Sequence, residues 1–187
     1  MRPSSPPLPE LTERQVAVLA NLNGNGITCE PRTSITEIFP GFSISGLDYS
    51  YICCETKPVI TCIHQSEIII TPKESPLAYH FNVKDKPETQ ILAEFDQIRD
   101  WIDAHRAADR PVHIMCMAGL NRSATIAVAY LCYAKKMDVV SAYRYLYAKR
   151  HGIIFNPYFK CQLIRWADEN GYLDPSSQDQ TPNTLCE

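Results

Sequence analysis

Apolar positions in this chain fall into runs of two kinds. Val59-Ile60-Thr61-Cys62-Ile63-His64 is apolar and rich in β-branched residues without alternation, which predicts a buried parallel strand. Residues 111–115 read as a second strand of this kind. Thr33–Phe39 alternates enough for a strand, Pro40-Gly41 marks a turn, and Phe42–Ser45 reads as the strand that follows. Two more strands are predicted at Glu67–Thr71 and Tyr79–Val83, on either side of a Pro-rich turn at 72–76, and a short helix at Leu47–Glu55. Elsewhere the spacing is helical. Ile91, Phe95, Ile98, Ile102 and His105 predict a helix over 88–106, with Glu94, Asp96, Asp100 and Asp103 as its solvated face. From Ser123 the chain is apolar almost all round the helix (Ala124, Ile126, Ala127, Val128, Ala129, Leu131, Cys132, Ala134), which belongs in the middle of a domain. Asp138 or Ser141 can cap a helix over 141–150. Asn156-Pro157 opens a last helix over 157–170, closed by Gly171, with Phe159, Leu163 and Trp166 inward. Near the N-terminus, Glu10–Asn21 forms a short helix with Leu11, Val16, Leu19 and Ala20 as its apolar side, broken by Asn23-Gly24-Asn25-Gly26.

Strands alternating with helices predict an α/β fold. We expect a single domain with a central, mostly parallel sheet flanked by helices and a site beyond the carboxyl ends of the strands. The 187 residues fit one domain with tails. Residues 1–32 read as a Pro-rich lead plus the short helix, 33–173 as the domain, and 174–187 as a polar tail without fixed structure. With 45% hydrophobic residues the chain can fill one core. A net charge of −3 gives no support to general binding of nucleic acid or acidic membranes. No run is long enough to span a bilayer, and the first residues lack the basic-then-apolar order of a signal peptide, so an intracellular protein is expected. The eight cysteines show no metal-ligand spacing, and Cys53-Cys54 is too tight for a C-x-x-C pair. Neither metal nor cofactor is expected, and most cysteines read as packing residues.

The chemistry concentrates in Val112-His113-Ile114-Met115-Cys116-Met117-Ala118-Gly119-Leu120-Asn121-Arg122-Ser123: a strand, a tight loop and a helix start. A loop curled over a helix start turns backbone N–H groups inward and makes a site for a dianion such as phosphate. Gly119 lets the backbone turn without a Cβ. Arg122 can fork two phosphate oxygens. The same surroundings favour negative charge on the Cys116 sulfur, which is then set for in-line attack on phosphorus.

Cys116-x5-Arg122-Ser123, with Ala118 and Gly119 inside the loop, resembles the signature of the cysteine-dependent protein tyrosine phosphatases, in particular the atypical dual-specificity protein phosphatases. The run from Ile35 to Ser45 and Asn156-Pro-x-Phe-x-x-Gln-Leu163 resemble other parts of that domain, so the likeness covers about 33–173. The resemblance implies a metal-independent protein phosphatase that hydrolyses phosphotyrosine, and phosphoserine and phosphothreonine as further substrates, through a cysteinyl-phosphate. Cys116 is then the nucleophile. Met117, Ala118, Gly119, Leu120, Asn121 and Arg122 line the phosphate site, and Ser123 hydrogen-bonds the leaving thiolate. Asp85, at the end of a strand, resembles the general acid. Asp85-Lys86-Pro87-Glu88 also reads as a helix N-cap with a carboxylate three residues on. Ser123 likewise has a plain capping alternative.

One departure stands out. The family has His immediately before the cysteine, whereas this chain has Met115 there and His113 two positions earlier, about 6.6 Å back along the strand. Loop support from that position is therefore expected to differ. Met115 also keeps open a second reading, a phosphate-binding pseudophosphatase scaffold. A third is a phosphoinositide or RNA 5′-triphosphate phosphatase on the same scaffold, prompted by Asn121-Arg122 and weakened by the acidic net charge. Lys149-Arg150 reads as a solvated helix end or as a contact for a second acidic group on a substrate. A resolving cysteine for Cys116 is conceivable, and the residues do not name it.

Overall fold

The two long apolar runs become neighbouring strands in the middle of a sheet. A computed structural model describes residues 6–22, 34–48, 50, 56–69 and 75–173. Its strands are β1 (Thr36–Phe39), β2 (Phe42–Ser45), β3 (Val59–Cys62), β4 (Ala78–Phe81) and β5 (Val112–Met115). They lie in the order β1-β2-β5-β3-β4, with β1 antiparallel to β2 and all other pairs parallel. Every residue of β3 and β5 is buried, which explains why neither run alternates. Met115 pairs with Ser45 on one side and Thr61 on the other. The next residues, Gly46 after β2 and Cys116 after β5, therefore leave the sheet at the same level, beside Cys62 at the end of β3.

Strand pleating divides these residues between two faces. Ile60, Cys62, Val112, Ile114 and Cys116 enter the main core. Val59 and Met115 form a second, small cluster with Leu47. Four helices pack on the main core side: α2 (Phe95–Ala107), α3 (Arg122–Lys135), α4 (Val139–Lys149) and α5 (Pro157–Glu169). Helix α3 is buried from Arg122 to Cys132, as its all-round apolar sequence requires. Asp138 caps α4 through Val140 N–H and Ser141 N–H, both at 3.0 Å. Asn156 caps α5 through Tyr158 N–H at 3.0 Å, with Pro157 at the first helical position.

Several expectations need correction. The helix predicted from 88 begins at Phe95. Residues 89–91 find their partners elsewhere, because Gln162 accepts from Ile91 N–H at 2.9 Å and donates to Thr89 O at 2.7 Å. No strand forms at the start of 67–71: Gln65–Glu67 is one 3-10 turn, capped by His64, and residues 70 and 71 lie outside the described ones. The helix expected over 47–55 also falls largely outside them, as do the tail at 174–187 and residues 1–5.

The N-terminal helix, α1 (Glu13–Asn21), is held by a Thr12–Gln15 capping box and packs on α5. Its inward side is only partly the predicted one, since Leu19 faces the core and Val16 does not. Val16 is 52% exposed, while Val18, Leu19 and fully buried Leu22 meet the core. A polar link sets this rotation: Gln15 Nε2 donates to Asp168 Oδ2 at 2.9 Å. The lead before it is also tied down, with Tyr158 and Arg165 donating to the carbonyls of Pro6 and Glu10. Among the described residues no helix is long and apolar enough to cross a membrane.

Candidate active site

Cys116 leaves the end of β5 and is 2% exposed. The loop behind it is shaped from outside. Met117 O accepts from Leu47 N–H at 3.3 Å, Ala118 O and Gly119 O accept from Arg150 at 3.3 and 2.8 Å, and Leu120 O accepts from Ile154 N–H at 2.7 Å. Asn121 O accepts from the N–H and hydroxyl of Thr125, both at 2.8 Å. All five carbonyls from 117 to 121 are thus turned to donors outside the loop. In a trans peptide the N–H of the next residue points the opposite way. The N–H groups of residues 118–122 therefore face the other side, which makes an anion cradle over the start of α3.

Gly119 is needed for two reasons. Its φ is +67, and a Cβ there would lie 2.4 Å from Ser45 C and 2.5 Å from Gly46 N. The loop rests directly on the backbone that leaves β2.

His113 stabilises that resting place. Its Nε2 lies 2.8 Å from Ser45 Oγ and its Nδ1 2.8 Å from Ser43 Oγ. Ser45 donates its own proton to Gly46 O at 2.7 Å. Nε2 must then carry the imidazole proton, and Nδ1 accepts from Ser43. Burial pushes the His113 pKa down to about 4, so the ring is neutral; Asp48 works in the opposite direction and Arg150 and Lys57 add to the lowering. His113 supports the loop indirectly, through Ser45 and Gly46. Met115 lies on the same face of the sheet as His113, away from the main core, fully buried with Val59 and Leu47.

Arg122 is 3% exposed. Its Nη1 donates to Glu67 Oε2 at 2.5 Å and to Val83 O at 3.0 Å. Its Nε is buried without a hydrogen-bond partner among the described residues. Nε–H and Nη2–H form the edge of a guanidinium that grips two oxygens of one phosphate. Glu67 and Val83 hold the opposite end of the group, so the Nε/Nη2 edge is oriented to take an anion. Ser123 is fully buried and its hydroxyl donates to Cys116 Sγ at 3.2 Å, so it does not merely cap the helix. Burial raises the Cys62 pKa well above the ordinary thiol value, and the neighbouring Cys116 adds to this while Arg122 opposes it. Cys62, Cys132 and Cys161 are buried, as packing residues would be; Cys29, Cys53, Cys54 and Cys186 lie outside the described residues.

Asp85 is joined to the same assembly. Its Oδ2 accepts from Asn121 Nδ2 at 2.9 Å and its Oδ1 from Asn156 Nδ2 at 2.7 Å. Asn121 Oδ1 accepts from Asn156 N–H at 3.2 Å and closes the triangle. Helix α2 starts too late for Asp85 to cap it, which removes the capping alternative. The structure thus brings together Cys116, the 117–121 loop, Arg122, Ser123 and Asp85.

It also recruits residues that the sequence reading missed. Glu67 lay in a predicted strand, and Asn156 was read only as a helix cap. Arg150 is neither solvated nor available to a substrate: it is fully buried and also donates to Ser34 and Thr36. Its place beside charged Lys149 at a helix end gave no signal of this.

This arrangement of a buried cysteine, an N–H cradle and an arginine with one free edge can be set against known proteins. The model of the dual specificity phosphatase catalytic domain matches residues 52–169. The chain belongs to the dual specificity phosphatase family. Human dual specificity protein phosphatase 16 is 32% identical over 120 residues, covering 64% of this chain and 16% of that protein. The Caenorhabditis elegans tyrosine-protein phosphatase vhp-1 is 28% identical over 150 residues, covering 79% and 22%. The chain spans a quarter or less of the length of these curated relatives. Among solved structures, the human tyrosine phosphatase-like serine/threonine/tyrosine-interacting protein superposes with a TM-score of 0.63 at 24% identity, over 73% of this chain and 97% of that one. OH1 from the Orf virus, described as a tyrosine phosphatase with triple substrate specificity, gives 0.64 at 16%, over 81% and 96%. These structural likenesses show the fold of this chain.

Proposed function

We propose that this domain hydrolyses phosphotyrosine in proteins, with phosphoserine and phosphothreonine as further substrates, through a cysteinyl-phosphate intermediate. The observation that carries the proposal is the anion cradle: five carbonyls turned outward, and a buried Arg122 Nε–H without a partner among the described residues. The substrate phosphate lies in the cradle with two oxygens on the Nε/Nη2 edge of Arg122. The Cys116 thiolate donates its electron pair to phosphorus, and the bond to the ester oxygen breaks. Asp85 gives its proton to that oxygen, so the phenol or alcohol leaves neutral. In the second step Asp85, now a carboxylate, takes a proton from water. The resulting hydroxide attacks phosphorus, the P–S bond breaks, and Cys116 leaves as a thiolate that accepts the Ser123 hydrogen bond.

The partner implied is a phosphorylated protein. The test is aryl-phosphate hydrolysis across pH for the wild type, Cys116→Ser and Asp85→Asn. Loss of turnover in the serine variant and a slower first step in the asparagine variant are expected. Wild-type turnover no greater than that of Cys116→Ser at any pH would refute the proposal and favour the phosphate-binding scaffold, a reading that rested on Met115. That side chain points away from the cradle, which weakens the alternative.

A further inference from the structure

The connection between α4 and α5 is anchored both in the main core, through Ile153 and Ile154, and at the site. Ile154 has φ +49, the left-handed region that a β-branched residue rarely enters. Its side chain is fully buried in the main core, and its backbone is bonded to the site. Ile154 N–H donates to Leu120 O at 2.7 Å. Two residues on, Asn156 donates its N–H to Asn121 Oδ1 at 3.2 Å and its side chain to Asp85 Oδ1 at 2.7 Å. Residues 154 and 156 are thus fastened to the cradle loop and to the predicted acid. Phe155, between them, is 63% exposed. A lone exposed aromatic is ordinary on a protein surface. This one is held on both sides by neighbours that bond to the two parts of the site that meet the ester.

We propose that Phe155 is a specificity-determining residue that packs against the ring of a phosphotyrosyl substrate and so favours aryl over alkyl phosphate esters. The inference rests on the phosphatase reading above. To protonate the leaving group, Asp85 must reach the ester oxygen. Whatever is attached to that oxygen leaves the cradle past the residues that hold Asp85, and Phe155 is chain-adjacent to one of them. In phosphotyrosine the attached group is an aromatic ring, which can stack on or meet the edge of a phenylalanine. Phosphothreonine and phosphoserine present one aliphatic carbon there and gain little from such a neighbour.

The experiment uses one peptide sequence carrying either phosphotyrosine or phosphothreonine. Wild type, Phe155→Ala and Phe155→Tyr are compared by kcat/KM, and the same position 155 changes are made in a Cys116→Ser background for binding by calorimetry. Phe155→Ala should lower kcat/KM for the phosphotyrosyl peptide about tenfold and leave the phosphothreonyl peptide within about twofold, and Phe155→Tyr should restore the wild-type preference. Equal losses on both peptides, or no loss on phosphotyrosine, would overturn the inference. Should the wild type turn over neither peptide, the phosphatase reading fails, and the binding arm still decides on Phe155. A selective loss of phosphotyrosyl affinity in the alanine variant supports it, and unchanged affinity overturns it.

Discussion

His113 makes the support of the active-site loop dependent on pH in a direction that can be calculated. An unfolded histidine titrates near 6.5, and burial holds His113 at about 4 in the folded protein. Between those values the unfolded chain binds a proton that the native state does not, so stability falls as pH falls. Above about pH 6.5 neither state is protonated and the contribution is flat. Integrated over the gap, the loss is about 2 kcal/mol at pH 5 and about 3 kcal/mol once the pH has passed below 4. Protonation also turns Nδ1 into a donor, so Ser43 must reverse its hydroxyl. Urea denaturation of wild type and His113→Gln from pH 4 to 8 checks this. Glutamine keeps a donor and an acceptor but does not titrate. The wild type should lose stability relative to the variant over the acidic part of the range, with parallel curves above pH 7. A stability difference that does not change with pH would refute the reasoning.

Gly119→Ala should leave the fold in place by circular dichroism and lower aryl-phosphate kcat about a hundredfold or more, because the new Cβ would meet Ser45 and Gly46 backbone and displace the loop. Arg150→Met should destabilise the protein by about 2–4 kcal/mol in denaturant melts, since two buried loop carbonyls lose their donors. Glu67→Ala should cost about tenfold in kcat/KM and weaken inhibition by vanadate in parallel, because it leaves Val83 O alone to hold the bound end of Arg122.

Most of the fold was legible because burial writes itself into sequence as pattern. A strand buried on both faces must be largely apolar, and β3 and β5 are, apart from Thr61 and His113; a helix surrounded by protein must be largely apolar all round, and α3 is beyond its first turn. The loop was legible for another reason. On the proposed reading one phosphate must be met by Cys116, Gly119, Arg122 and Ser123 together, which sets their spacing along the chain. Supporting groups have no such spacing. Glu67, Asn156, Arg150 and the His113–Ser45 pair act through hydrogen bonds between distant segments, and a polar residue that bonds across the fold looks the same in sequence as one that faces water. The start of α2 was misread for this reason too: Gln162, more than seventy residues away, satisfies the backbone at 89–91 and lets the helix begin late.

Arg150 has a consequence for how activity is acquired. Its guanidinium joins Ser34, 116 residues earlier, and Gly119, 31 residues earlier, in one buried knot. Bringing such distant pieces together costs chain entropy before any contact offsets it. Strand β5 and helix α3 can form from neighbouring residues, but the curl of the loop between them waits for the edge of the sheet and the end of α4 to arrive. A refolding chain should therefore regain its helical signal before its anion affinity. A fragment holding the signature residues without residues 34–36 and Arg150 would carry the motif and lack the cradle.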